Sequence, residues 1–178
     1  MRGILILSGG VDSTTLLYQM LADGYEVTAI TFNYAQRHKK EIDCAKAIAE
    51  RLPITHHVVD LSSIACLLGD SALLGGKEVP GCHYTEEAAK KTVVPNRNMI
   101  MLSVAAGYAE AHEIPEVFYA AHQNDRTIYP DCRPEFVQAL RPAIRLATAW
   151  HPVELQAPLV DMSKAEICLL YTSDAADE

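Results

Sequence analysis

The chain lacks any long hydrophobic run. Its 178 residues are 49% hydrophobic and 21% charged, but nowhere do the roughly 18 consecutive apolar residues of a membrane helix occur. The first residues, Met1-Arg2-Gly3, lead directly into a strand-like segment and show no signal-peptide pattern. We therefore expect a cytoplasmic, single-domain protein that has no membrane partner.

Basic charge is also scarce. The sequence has 15 Lys and Arg residues against 23 Asp and Glu residues, which gives a net charge of −8. Proteins that grip a nucleic-acid backbone usually present a basic surface. The charge balance therefore predicts a small-molecule substrate and no nucleic-acid partner.

The cysteines form no recognisable framework. They are odd in number and scattered, which argues against a disulfide scaffold, and no C-x-x-C pair supplies a zinc motif. The five are Cys44, Cys66, Cys82, Cys132 and Cys168. We assign no metal ligands, and we expect Cys132 to be a packed thiol because no base is evidently paired with it.

Strand-like and helix-like segments alternate along the chain. Alternation of this kind predicts an α/β fold: a doubly wound, mainly parallel five-stranded sheet with helices on both faces. Strands are predicted at residues 3–7, 25–32, 55–61, 116–121 and 155–157. Helices are predicted at residues 13–21, 39–52 and 98–113, from about 134, and from 163. The Gly-rich stretch from Leu67 to Lys91 is predicted to be a long loop that is either a lid or partly disordered.

Ser8-Gly9-Gly10-Val11-Asp12-Ser13 lies between the first predicted strand and the first predicted helix. Two glycines let the backbone turn toward an anion, and the helix start offers unpaired N–H groups. The two serines add hydroxyl donors, Asp12 can steady the loop or help to hold Mg²⁺, and the lysine of the Walker A pattern is absent. The plain alternative is a strand–helix turn. We predict nucleotide binding by Leu7, Ser8, Gly9, Gly10, Val11, Asp12, Ser13, Thr14, Thr15, Leu16 and Leu17.

This hexapeptide resembles the S-G-G-x-D-S signature of the N-type ATP pyrophosphatases. That superfamily includes asparagine synthetase, GMP synthetase and the tRNA thiolation enzymes. The resemblance implies that ATP is cut between its α and β phosphates in the presence of Mg²⁺, with the loop holding the pyrophosphate.

Four further segments narrow the resemblance to the 7-cyano-7-deazaguanine synthases, over about residues 3 to 167. They are residues 32–41 (FNYAQRHKKE), 94–98 (VPNRN), 129–136 (YPDCRPEF) and 157–167 (APLVDMSKAEI). The resemblance implies a homodimeric ligase of queuosine biosynthesis. Its substrates are 7-carboxy-7-deazaguanine and ammonia, and it adenylates first the carboxylate and then the amide.

Charged residues in these segments are the candidate site residues. Each follows a predicted strand or precedes a predicted helix, at the sheet edge where doubly wound folds bind ligands. We predict that Arg97 and Lys164 are catalytic and that Arg37, Asp131 and Arg133 bind the substrate.

The last eleven residues do not continue the resemblance. Members of the family carry a cysteine cluster that binds structural Zn²⁺ after the helix that begins near Lys164, and Cys168 has no partner at a suitable spacing. We expect a catalytic domain at residues 1–167, followed at 168–178 by an atypical, truncated or foreign tail.

Three other interpretations remain open at this stage. A tRNA thiolation enzyme of the same superfamily would need a sulfur-carrying cysteine and usually an RNA-binding domain. An inactive ATP-binding fragment would retain only the loop. Another amide-forming ligase, such as a relative of NAD synthetase, would not be expected to contain YPDCRPEF.

Overall fold

The computed structural model describes residues 1–34, 40–65 and 94–174, which include one five-stranded sheet. Its strands are β1 Arg2–Ile6, β2 Glu26–Asn33, β3 Thr55–Asp60, β4 Glu116–Phe118 and β5 Glu154–Gln156. The order across the sheet is β3-β2-β1-β4-β5, and every neighbouring pair is parallel. The predicted five-stranded α/β architecture is confirmed.

Helices pack on both faces of this sheet. The described helices are α1 Val11–Ala22, α2 Lys40–Ala49, α3 Ser62–Ala65, α4 Arg97–Ala111, α5 Pro134–Ala147 and α6 Lys164–Asp174. Two short 3₁₀ helices, Gln123–Thr127 and Pro130–Cys132, connect β4 to α5. None of the helices within the described ranges has the length and apolar character needed to cross a membrane.

Two apolar cores hold these layers together, one on each side of the sheet. Because the sheet is covered on both faces, its central strands are apolar throughout rather than alternating. The first core packs the sheet against α4 and α5 through Leu102, Ala105, Ala109, Val137, Leu140 and Ile144. The second packs it against α1, α2 and α6 through Leu16, Leu17, Met20, Ala45 and Ile167.

Two element boundaries differ from those that the sequence predicts. Helix α1 begins at Val11, two residues early, because the extended Gly10 (φ −83°, ψ 165°) already ends the loop. Strand β4 ends at Phe118 although the apolar run continues, because Tyr119 makes the last bond to β5, from its N–H to the Gln156 carbonyl at 3.1 Å. The predicted lid lies outside the described residues.

Strand β1 lies at the point where the winding of the sheet reverses. The chain leaves β1 to form β2 on one side and later returns to form β4 on the other. In open α/β sheets, a crevice opens at the carboxyl ends of the strands at such a switch point. The loop between β1 and α1 lies at this crevice.

A capping box closes the start of α6. The backbone N–H and hydroxyl of Ser163 each donate to Glu166 Oε2 at 2.7 Å, and the Glu166 N–H donates to Ser163 Oγ at 3.3 Å. These bonds satisfy donors that a helix start leaves unpaired. Ile167, fully buried in the second core, anchors the same turn.

We expect Ser163→Ala to lower the free energy of unfolding by about 1 kcal/mol. The bonds from Ser163 lower the pKa of Glu166. The part of the cap's stability that depends on this carboxylate is therefore complete above the pKa of an unfolded Glu and is lost as the pH falls through the lowered value. Urea unfolding at neutral and acidic pH measures both effects. Ser103→Ala on the exposed side of α4 is the control; an equal loss in the control contradicts the capping role.

Candidate active site

A cleft of about 430 Å³ opens at the carboxyl edge of the sheet, above β1. The β1–α1 loop forms its floor, the ends of β2 and β4 form two walls, and the starts of α4 and α6 complete the rim. Its lining includes the polar, charged and aromatic residues Ser8, Asp12, Ser13, Thr31, Phe32, Tyr34, Arg97, Asn98, Tyr119, Asp125, Tyr129, Cys132 and Lys164.

The floor of the cleft is a loop organised by the Ser13 hydroxyl. The Ser8 N–H donates to Ser13 Oγ at 3.2 Å, the two serine hydroxyls lie 2.9 Å apart, and Ser13 Oγ donates to the Gly10 carbonyl at 3.2 Å. Gly9 has a φ of +82°, a backbone conformation that favours glycine. The loop is therefore a turned backbone nest at a helix start, which is a common anion site.

Asp12 connects this nest to the start of α6. Its Oδ2 lies 2.7 Å from Lys164 Nζ, although the two residues are 152 positions apart in the sequence. Asp12 Oδ1 is buried and has no partner among the described residues. The ion pair places one cation and one anion at the rim, where the lysine can exchange Asp12 for a bound anion.

A buried histidine bridges the two carboxylates of the rim. His122 Nε2 lies 3.5 Å from Asp12 Oδ2 and 3.4 Å from Asp125 Oδ2. Burial raises the pKa of Asp125, and the nearby His122 opposes this increase. The sequence analysis did not predict a role for His122 or Asp125. Both follow β4 at the carboxyl edge of the sheet, and this position is the signal that would have identified them.

Arg97, at the first turn of α4, lies between two tyrosine rings. Its guanidinium carbon lies 5.6 Å from the ring centre of Tyr34 and 5.7 Å from that of Tyr129, and Nη1 donates to the Tyr34 hydroxyl at 3.2 Å. Burial alone would lower the pKa of Arg97, but Tyr34 and Asp131 outweigh burial and the pKa is raised. The site thus holds a permanent cation within an aromatic setting.

The predicted substrate residues Asp131 and Arg133 do not line the cleft. Asp131 Oδ2 accepts the backbone N–H of Asn98 at 2.9 Å, which secures the start of α4. Arg133 is exposed, and its Nε donates to the Arg126 carbonyl at 2.8 Å. Arg37 lies outside the described residues, so its assignment stays a prediction.

The predicted nucleotide-binding residues divide into two groups. Those that line the cleft are Leu7, Ser8, Gly10, Val11, Asp12 and Ser13. The others lie beneath it. The Thr14 hydroxyl donates to the Gly10 carbonyl at 2.8 Å and the Thr15 hydroxyl to the Val11 carbonyl at 2.9 Å, Leu16 and Leu17 are in the second core, and Gly9 forms the turn. This second group supports the shape of the loop from below.

The Cys132 side chain lies at the β4 side of the cleft and is buried. Burial, with the Asp131 and Asp125 carboxylates adding to it, raises the pKa of the thiol to about 12. The Asn98 side-chain amide donates to its Sγ at 3.2 Å. A thiol with these properties is a packing group, which agrees with the expectation from the sequence.

We expect iodoacetamide at about pH 8 to label the exposed Cys44 and Cys168 in the native protein while Cys132 remains unmodified, since the thiolate is the reactive form. Peptide mass spectrometry measures the extent of labelling at each site. Denatured protein, in which all three react, is the control. Native labelling of Cys132 at the rate of Cys44 contradicts this assignment.

No three His, Cys, Asp or Glu side chains in the described ranges are grouped so as to hold a metal ion. A structural zinc site of the kind that the family resemblance implies therefore has no donor set in this part of the chain. Magnesium in nucleotide sites needs only one or two carboxylates, because the substrate phosphates supply the other ligands.

The all-parallel sheet and the backbone nest at its switch point define a doubly wound α/β protein. A predicted tRNA methyltransferase subunit from Methanocaldococcus jannaschii has a similar fold, with a TM-score of 0.60 and 18% identity over 97% of this chain and 74% of that one. The NMN synthetase of Francisella tularensis has a TM-score of 0.56 and 14% identity over 96% of this chain and 60% of its own. At these identities the likeness concerns the fold alone.

The family model described as "Queuosine biosynthesis protein QueC" matches residues 2–174, and the chain belongs to that family. It is 54% identical over 170 residues to the 7-cyano-7-deazaguanine synthase of Archaeoglobus fulgidus, covering 96% of this chain and 71% of the relative. It is 51% identical over 167 residues to that of Methanoregula boonei, covering 94% and 76%. The family resemblance drawn from the sequence is confirmed, and the chain is an enzyme of the ligase class that acts in queuosine precursor synthesis.

Proposed function

We propose that the chain converts 7-carboxy-7-deazaguanine and ammonia into 7-cyano-7-deazaguanine at the expense of two molecules of ATP. The observation that carries the proposal is the phosphate nest at the sheet switch point, facing a cleft that holds Arg97 and Lys164. The chain shares its family with relatives named 7-cyano-7-deazaguanine synthase. The acceptor ring and the nucleotide both bind in this cleft.

The first step activates the carboxylate, which is a poor electrophile because it is anionic and its oxygen leaves badly. A carboxylate oxygen forms a bond to the α-phosphorus of ATP, and the bond from that phosphorus to the bridging oxygen breaks, releasing pyrophosphate. The nest and Lys164 bind the leaving pyrophosphate, on which negative charge develops. Arg97 holds the anionic acceptor in line for attack.

Ammonia then adds to the carbonyl carbon of the acyl adenylate. AMP leaves with the electron pair of the broken C–O bond, a proton is released, and the primary amide forms. The amide oxygen attacks a second ATP in the same manner and again releases pyrophosphate. Loss of AMP from the adenylated amide then leaves the nitrile. The amide nitrogen loses both of its protons in the course of adenylation and AMP loss.

Asp12 and Asp125 are the side chains that would hold Mg²⁺ together with the ATP phosphates, since both line the cleft and Asp12 Oδ1 has no partner among the described residues. Bound Mg²⁺ would supply neutralisation of phosphate charge. Asp131 acts indirectly, because its bond to the Asn98 N–H holds α4 and therefore Arg97 over the cleft. Direct substrate contact by Arg37, a cytoplasmic location and a homodimer remain part of the proposal.

Mass spectrometry of a reaction that contains the acceptor acid, ATP and ammonium tests this function. The expected result is the nitrile, with two pyrophosphates released for each nitrile and the amide as an intermediate. ATP binding by calorimetry without any pyrophosphate release would instead support an inactive nucleotide-binding fragment. Clear tRNA binding in a low-salt gel shift, without nitrile formation, would favour a thiolation enzyme.

A further inference from the structure

The cleft has two unlike walls on either side of the phosphate nest. Thr31 and Phe32, at the end of β2, form one wall. Tyr119, directly after β4, forms the other, with Cys132 behind it. Because the nest lies between them above β1, a ligand that spans the nest reaches both walls.

Tyr119 presents an unusual buried hydroxyl on the β4 wall. The residue is only 4% exposed, and its oxygen has no hydrogen-bond partner among the described residues. Leaving a buried hydroxyl unpaired costs about 1–3 kcal/mol. Such a group, in a cleft, is one that a bound ligand can satisfy.

The polar groups near Tyr119 are engaged elsewhere. Asp131 Oδ2 accepts from Asn98, Arg141 Nε donates to the Leu155 carbonyl at 2.9 Å, and the Cys132 sulfur receives the Asn98 amide. None of the described residues forms a hydrogen bond with the Tyr119 hydroxyl.

One further feature favours the acceptor over the nucleoside as the partner. Arg97 supplies a cation among the aromatic rings of the cleft, which suits an anionic aromatic acid better than a neutral adenosine. Burial also raises the pKa of Tyr119, so the hydroxyl keeps its proton at working pH and can donate it.

We propose that the Tyr119 hydroxyl donates a hydrogen bond to the polar edge of the acceptor's heteroaromatic ring and thereby selects this substrate. The inference rests on the proposed function, because it assigns one side of the same cleft to the acceptor. The nucleoside of ATP then lies toward the β2 wall. Sites built to hydrogen-bond one polar group discriminate strongly against analogues that lack it.

The test is Tyr119→Phe in the full chain, a change that removes one oxygen and leaves the ring in place. We expect the acceptor KM, and its Kd measured by calorimetry without ATP, to rise about tenfold, the loss typical of one hydrogen bond. The ATP KM should change less than about twofold. Thermal stability should be unchanged or slightly higher, because the removed hydroxyl lacks a partner in the free protein.

Tyr108→Phe is the matched control, since its hydroxyl lies 3.0 Å from His57 Nε2 and the residue does not line the cleft. It should leave the KM of both substrates unaltered. An unchanged acceptor Kd in Tyr119→Phe overturns the inference, as does a selective rise in the ATP KM. If the wild-type protein makes no nitrile but Tyr119→Phe still binds the acceptor tenfold more weakly, the Tyr119 contact is supported and only the proposed reaction is contradicted.

Discussion

Replacement of Lys164 by methionine is expected to lower kcat roughly 100- to 1,000-fold, the usual cost of removing one preorganised group that stabilises developing charge. The amine lies at the rim of the nest and is paired with Asp12 at 2.7 Å. In the proposed reaction, negative charge grows on the departing pyrophosphate, whose oxygens the nest and this amine would bind. Pyrophosphate release in samples quenched at successive times measures the decrease in kcat. ATP affinity is measured separately by calorimetry.

Two further variants distinguish the loss of the positive charge at Lys164 from a general structural effect of the substitution. Lys164→Arg keeps the cation but changes its donor geometry, so it should recover part of the lost rate. Lys46→Met removes an exposed lysine of α2, away from the cleft, and should retain wild-type kcat. A folded Lys164→Met enzyme that keeps more than about a tenth of the wild-type kcat would be incompatible with electrostatic stabilisation by this amine.

Substitution of Gly9 by alanine is expected to be the most destabilising single change in the nest. An added Cβ would lie 2.2 Å from the Glu41 carbonyl oxygen and 2.9 Å from the Ala45 nitrogen, both of them backbone atoms of α2. The residue also has a φ of +82°, which strains any L side chain. Strain and overpacking together should cost roughly 3–5 kcal/mol in the free energy of unfolding.

Two other glycines serve as controls for this prediction. Gly24 has a similar φ of +79° but nothing within 4 Å of an added Cβ, so Gly24→Ala measures the backbone strain alone, about 1–2 kcal/mol. Gly10 has an ordinary φ of −83° and only Ser8 Oγ at 3.4 Å, so Gly10→Ala should cost less than about 1 kcal/mol. Equal urea-unfolding losses for Gly9→Ala and Gly24→Ala would show that contact with α2 adds nothing.

The close approach of Gly9 to α2 links the sequence of the β1–α1 loop to the position of α2. Gly9 is not merely free to turn; it allows the β1–α1 loop to lie directly against the backbone of α2. A bulkier residue would push the loop and α2 apart and displace the nest from the switch point. The motif glycine therefore has a packing role as well as a conformational one.

Much of the fold follows from local sequence signals. Local residue patterns predicted all five strands, and they placed α1, α4 and the start of α5 to within about two residues. The Ser163–Glu166 cap was also predictable, because both partners are separated by three positions and interact within one turn. Local interactions of this kind do not depend on how distant segments pack.

The end of β4 was less predictable for the opposite reason. Its apolar run continues through Ala120 and Ala121, but pairing with β5 stops at Tyr119. Where a strand ends depends on its neighbour, and β5 is separated from it by more than thirty residues. The residues beyond the last pair become the wall of the cleft instead.

The sequence by itself determined the sheet class, the phosphate nest and the family, because these depend on short-range spacing and on a contiguous motif from Ser8 to Ser13. Only the tertiary structure decided that Lys164 pairs with Asp12, that His122 bridges Asp12 and Asp125, and that Tyr119 rather than Asp131 lines the cleft. These contacts join residues from separate βα units. The winding of the sheet brings such residues to one edge, whereas the orientation of each side chain is set by its packing against distant segments.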